Sequence, residues 1–186
     1  MTRDRMMQIL NGPDLPQVLP EVAALAGVPQ PPDYHGEGDA LEHTRLTVAA
    51  LAPDADARLV WAAALHDVGK ATTTRLVDGR WRAHGHDRLS GERAAQVLSR
   101  FNAEQMAEDV AWLVRHHHFA LSWRIPPGGR LTGRQKRFCR HPLFPLLVDL
   151  CRADAAASYG ISTKERWLDQ VLDALKREAE DGHSQI

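Results

Sequence analysis

Apolar residues recur at three- and four-residue spacing along most of the chain, and the places where that spacing breaks divide it into helices. Prolines crowd the first third up to PQPPDYHGEGD (Pro29 to Asp39), so only a short helix near Glu21 to Gly27 is predicted there, followed by a loop. Regular spacing begins with a helix over Ala40 to Leu51. Asp54, behind Pro53, is the expected N-cap of a second helix running to Val68, with Gly69 as its stop. TTTRLVDGRWRAH (Thr72 to His84) sets β-branched and aromatic residues around Asp78-Gly79, the signal for a tight hairpin. Further helices are predicted over His86 to Arg100, over Ala103 to His118 with Asn102 and Gln105 as start signals, and over Pro142 to Tyr159. A last helix starts at Ser162, whose spacing to Glu165 matches a capping box, and frays into a charged tail. Together these predict an all-α bundle with one small β-hairpin: a single domain over 1–186, with its core over about 19–160 and a closing helix over about 162–180.

Several polar residues fall where the apolar pattern calls for core. His66 lies one and two turns after Leu59, Ala62 and Ala63, and Asp67 stands in the same relation to Val60, Ala63 and Ala64, so both side chains are expected to point inward. An uncompensated carboxylate there costs several kcal/mol, so Asp67 needs a partner or a cation. His43 continues the stripe of Leu46, Thr47, Ala50 and Leu51. Asp154 continues Leu147, Leu150 and Cys151, with Asp149 and Arg152 turned away, and His117 follows Val110, Leu113 and Val114, which makes it the inward member of His116-His117-His118.

Composition changes this picture in one respect. Among 186 residues with net charge −1 there are ten histidines, more than twice ordinary usage of about 2%. The near-neutral charge gives no global attraction to nucleic acid or anionic membrane. The chain carries Cys139 and Cys151 as its only cysteines, no apolar run of membrane-spanning length and no signal-peptide core, so a cytoplasmic protein with reduced thiols is expected. A histidine-aspartate pair arises about once by chance in such a composition, and His86-Asp87 is a second one. The set of His43, His66, Asp67 and Asp154 on separate inward faces is more telling. Its mixed nitrogen and oxygen donors suit Mn, Fe, Co or Ni, with Mg possible, as one ion or as two bridged by Asp67.

These residues, in this order, resemble the HD-domain superfamily of metal-dependent phosphohydrolases. LPEVAALAGVPQPPDYHGEGDALEHT, AALHDVGKATTTR, GRWRAHGHDRLSGERAAQVL and LVRHHHF are similar to the corresponding stretches of HD domains attached to bacterial tRNA nucleotidyltransferases and poly(A)-polymerase-like proteins, over roughly 19–158. The resemblance implies His43, His66, Asp67 and Asp154 as metal ligands and His86 and His117 as further ligands or substrate contacts. It also implies Lys70 of HDVGK as a phosphate contact. Gly36 stands where many such domains have proline, which is expected to loosen that loop. The glycine-rich strand-turn and paired carboxylates of a nucleotidyltransferase head are not found in these residues, so CCA addition is not expected of them.

The function this implies is hydrolysis of a phosphomonoester or phosphodiester on a nucleotide or RNA end, of the 2′,3′-cyclic phosphodiesterase or phosphatase type. Asp67 and Lys70 would be catalytic, and Lys70, Arg115, His86 and His117 would bind substrate. No protein or membrane partner is implied. Two alternatives stay open: a 5′-deoxynucleotidase or signalling-nucleotide hydrolase, and a non-catalytic RNA-binding module with a structural metal. RLTGRQKRFCRH (Arg130 to His141), with five Lys or Arg and no acid, is either an RNA or nucleotide phosphate contact or a solvated loop.

Overall fold

The computed structural model describes residues 1–160 and 163–183, with no side-chain description for 181–183. Its order is α1 (Arg3–Asn11), α2 (Leu15–Val18), α3 (Pro20–Ala23), α4 (Ala40–Ala49), α5 (Ala57–Leu65), α6 (Lys70–Thr73), β1 (Arg75–Val77), β2 (Arg80–Arg82), α7 (His86–Arg100), α8 (Ala107–His116), α9 (Phe119–Trp123), α10 (Gly133–Cys139), α11 (Phe144–Ala156) and α12 (Lys164–His183). The all-α bundle with one antiparallel hairpin is as expected. Val77 pairs with Arg80, and Asp78 and Gly79 both have positive φ, as a two-residue turn requires.

The centre of the bundle is α5, where every residue from 59 to 65 is buried. A helix apolar on all sides has no solvent face, so it is enclosed, here by α4, α8 and α11. Its N-cap is Asp56 rather than Asp54. The Asp56 carboxylate accepts from the Arg58 N–H at 2.8 Å and from the Arg58 guanidinium, which also reaches Asp109 of α8 at 3.0 Å. The helix also ends at Leu65, short of Val68, with His66 as C-cap. Asp67 therefore sits on the turn between α5 and α6.

Other expectations give way. The first third contains α1, capped by Thr2, whose Met6 and Leu10 enter the core and whose Leu10 carbonyl accepts two hydrogen bonds from Arg45 at 3.0 and 3.1 Å. The helix expected near Glu21 is the short α3, which Pro20 starts. The helix expected over 103–118 is broken: Asn102 takes a left-handed φ of 51° instead of capping, a 3-10 turn spans Glu104–Met106, and α8 ends at His116 before α9 begins. The basic segment after Arg130 holds α10, started by a reciprocal capping box between Thr132 and Gln135. The capping box expected at Ser162 lies outside the described residues. Pro142 and Tyr159 fall outside α11.

Two glycines permit close approaches. Gly69 has an ordinary φ of −65°, but a Cβ there would run into the His86 carbonyl and lie 2.9 Å from Ser90 Oγ, which accepts the Gly69 N–H at 2.8 Å. Gly36 does not loosen its loop: a Cβ on it would sit 2.5 Å from the Tyr159 carbonyl, so the loop is pressed against the chain following α11.

Candidate metal centre

Five elements deliver the predicted donors to one buried place. His43 comes from α4, His66 and Asp67 from the end of α5, His86 from the first residue of α7, His117 from the end of α8, and Asp154 from α11. His43, His66, Asp67 and Asp154 are at most 1% exposed, and His117 and His86 are buried as well. Asp67 lies between two groups of imidazoles. Its Oδ2 faces His66 Nε2 at 3.2 Å and His43 Nε2 at 4.0 Å, and its Oδ1 faces His86 Nε2 at 3.3 Å and His117 Nε2 at 4.0 Å.

The backbone decides which nitrogen each ring presents. Nδ1 of His66, His86 and His117 lies 2.9, 2.6 and 2.6 Å from the carbonyls of Ala63, Ala83 and Val114. A carbonyl only accepts, so each Nδ1–H donates, and in the neutral ring Nε2 keeps its lone pair, as a metal-binding imidazole requires. Those Nε2 atoms and both oxygens of Asp67 are buried without a hydrogen bond among the described residues. Lys70 Nζ stands 2.7 Å from Asp67 Oδ2 as an ion pair outside hydrogen-bond angles, and donates to Gln30 at 2.7 Å. Orphaned donors cost about 1–3 kcal/mol each unless something binds them. Two ligand atoms on one ion of this type stand about 3 Å apart, close to the spacings around Asp67. The residues present thus fit a divalent metal.

Charge supports the same conclusion. Burial alone pushes the Asp67 carboxyl up, but its neighbours His66 and Lys70 outweigh it and hold the group well below the usual carboxylate range. Asp154 is likewise pushed up by burial and brought well below that range by Lys164 and His43. Burial and the neighbouring His66 and His86 lower His117 to about 3, so its ring is neutral. His43 differs: burial lowers it, but carboxylates on both ring nitrogens, Asp154 at 2.9 Å and Glu37 at 2.8 Å, leave it raised. A metal taking His43 Nε2 therefore displaces a proton.

Sequence periodicity missed four contributors. The Glu37 side chain is fully buried and binds His43, His35 at 2.7 Å and the Tyr159 N–H at 2.9 Å, which fixes the His43 ring. It belongs to a loop, where no helical stripe exists to reveal it. Lys164, in the first turn of α12, stands 2.5 Å from Asp154 Oδ1, so that oxygen faces both His43 and Lys164. His118 packs tilted against His117 and edge-on to His86, at ring distances of 4.0 and 5.1 Å. Arg124 reaches the mouth of the site, a cavity of about 290 Å³ that Lys70, Lys164, His118 and Tyr34 also line. Arg115 is exposed and lies apart from this mouth, in a neighbouring cleft.

The family described as HD domain matches residues 40–158. The chain is 41% identical over 131 residues to the multifunctional CCA protein of Halorhodospira halophila, an alignment covering 68% of this chain and 31% of that protein. It is 37% identical over 152 residues to the multifunctional CCA protein of Alkalilimnicola ehrlichii, covering 79% and 36%. With the A-adding tRNA nucleotidyltransferase of Deinococcus radiodurans it shares 34% identity over 194 residues, covering 94% and 43%. The chain thus spans less than half the length of these curated relatives. Among the described residues no helix is long and apolar enough to cross a membrane. The matched segment begins at the first residue of α4 and ends just beyond α11, enclosing every helix that supplies a donor, and the chain belongs to the HD-domain family.

Proposed function

We propose that the chain hydrolyses phosphoesters on nucleotides or RNA ends, with 2′,3′-cyclic phosphodiesters and 2′- or 3′-phosphates as its first substrates. The observation that carries this reading is the set of buried, unsatisfied Nε2 and carboxylate atoms beneath a mouth lined by Lys70, Arg124 and Lys164. The ligands would be His43, His66, Asp67 and Asp154, with His86 and His117 on the far side of Asp67 for a second ion. A bound Mn, Fe, Co, Ni or Mg ion supplies Lewis acidity at the phosphoryl group and lowers the pKa of water.

The chain's own residues do the rest. Asp67 takes the proton of the attacking water as the new P–O bond forms, and returns it to the leaving oxygen as the ester P–O bond breaks. Lys70, drawn from Asp67 towards substrate, and Arg124 neutralise the non-bridging oxygens. Arg124 occupies a left-handed cap with φ 47° and ψ 50°, where glycine is the unstrained choice, at a cost of about 1 kcal/mol. Keeping a guanidinium at the mouth accounts for that cost. The relative named as an A-adding tRNA nucleotidyltransferase points to tRNA as the RNA class.

The test is product analysis of metal-loaded protein over a panel of 2′,3′-cyclic nucleotides, 2′- and 3′-nucleotides, 5′-deoxynucleotides and signalling nucleotides. Turnover confined to the first two classes is expected. Turnover confined to 5′-deoxynucleotides or signalling nucleotides overturns the substrate assignment, and salt-sensitive RNA binding without turnover at any loading favours a binding module.

Lys164→Met bears on the ligand role of Asp154. Removing the ammonium 2.5 Å from Asp154 Oδ1 frees that carboxylate for a cation, so Mn(II) affinity measured by titration calorimetry should tighten several-fold. Weaker binding would contradict Asp154 as a ligand.

A further inference from the structure

We propose that the cleft behind His118 is a subsite for the nucleotide adjoining the reacting phosphate of a single-stranded RNA end, its base on the aromatic wall and its phosphate on Arg115 and Arg134. This deepens the reading above and rests on it for the location of the reacting phosphate. The cleft measures about 550 Å³, ample for one nucleotide, and joins α8, α9 and α10. His118 lines both this cleft and the mouth of the metal centre, so the two adjoin across its ring.

The lining divides by chemistry. Phe119, Trp123 and Phe138 form one wall, packed edge-on at centroid distances of 5.0 Å (Phe119 to Trp123) and 5.3 Å (Trp123 to Phe138); Trp123 and Phe138 remain half-buried, with surface left to contact a base. Arg115 and Arg134 supply its cationic part, beside His116 and one carboxylate, Asp87. Both arginines are exposed, and among the described residues neither makes a hydrogen bond or ion pair, whereas Lys136 on the same helix as Arg134 is taken by Glu178 at 3.1 Å. Aromatic faces beside unpaired guanidinium groups bind stacked bases and their phosphates with little regard to sequence. The basic segment after Arg130 thereby divides by face. Thr132, Arg134, Gln135 and Phe138 turn to the cleft, and Arg137 does not line it.

The test compares binding of a fluorescently labelled pentaribonucleotide ending in a 3′-phosphorothioate with that of adenosine 3′-phosphorothioate, both slow to hydrolyse, to the metal-loaded protein. The oligonucleotide should bind about tenfold or more tightly than the mononucleotide. Arg134→Glu should erase that advantage and leave mononucleotide affinity unchanged. Arg134 is in the first turn of α10, where an acidic side chain favours the helix, so this variant keeps the fold. Arg137→Glu makes the same charge change off the cleft and should leave the advantage in place. Equal binding of the two ligands, an undiminished advantage in Arg134→Glu, or equal loss in Arg137→Glu would overturn the subsite. Because binding is read without turnover, a hydrolysis failure with this pattern intact removes the catalytic reading and leaves the cleft.

Discussion

Asp67→Ala loses bound metal and turnover together. The two oxygens of Asp67 face both imidazole groups, so their removal separates His43 and His66 from His86 and His117. It also leaves Lys70 Nζ, 2.7 Å from the missing carboxylate, with no anionic partner beyond its hydrogen bond to Gln30. Elemental analysis should show ion content falling below the parent's, and turnover of a 2′,3′-cyclic nucleotide should drop by about a thousandfold or more, since Lewis acidity and proton acceptor disappear at once. Asp67→Asn separates site from scaffold: it keeps the volume, and circular dichroism should show parental helix content with the same loss of metal. A variant that keeps the parent's ions and rate would contradict the role of Asp67.

Gly69→Ala should cost about 1–3 kcal/mol, several degrees in Tm, and weaken metal binding as well. No backbone preference is involved, because its φ of −65° suits alanine. The added Cβ meets the His86 carbonyl and stands 3.0 Å from His86 Cα, both rigid backbone atoms, and 2.9 Å from Ser90 Oγ. Either the turn carrying His66 and Asp67 moves or the start of α7 does. Both movements open the 3.3 Å gap between Asp67 Oδ1 and His86 Nε2. Thermal melts and Mn(II) titration read the two effects; an alanine variant with parental Tm and affinity would show that the close approach does not position the site.

The ligand candidates on helices were legible because helical periodicity states which face is buried. His43 precedes, and His117 and Asp154 follow, stripe residues at three- and four-residue spacing, and each is buried. His66 and Asp67 were placed inward for a reason that turned out weaker: α5 is buried on every side, so any residue near its end is enclosed, and Asp67 points in from a turn. Glu37 and Lys164 were illegible. A loop carboxylate and a lysine just after a chain break in the pattern acquire meaning only when α4, α11 and α12 meet. The role expected of Gly69, a helix stop, was also incomplete, since its lack of a side chain matters against α7, which is distant in sequence.

Among the elements, α7 and the hairpin matched their signals because Asp78-Gly79 and the helix start at His86 are set by local chemistry. α1 was hidden by the prolines that follow it, although Thr2 caps it and Met6 and Leu10 are one turn apart. α10 was hidden by the run of basic residues, although its Thr132 and Gln135 carry a capping box like the one sought at Ser162. Asp54 was the expected N-cap; in the fold Arg58, paired to Asp56 and Asp109, favours Asp56 instead.

The central claim is that the His and Asp side chains around Asp67 hold a divalent ion for phosphoester hydrolysis. The most direct measurement counts ions per chain in protein purified without chelators and follows hydrolysis of a 2′,3′-cyclic nucleotide in the same sample. One or two ions per chain, with turnover lost to EDTA and restored by Mn(II), Co(II) or Ni(II), is the predicted result. An ion-free protein that hydrolyses at the same rate, or a fully loaded one that never does, would contradict it.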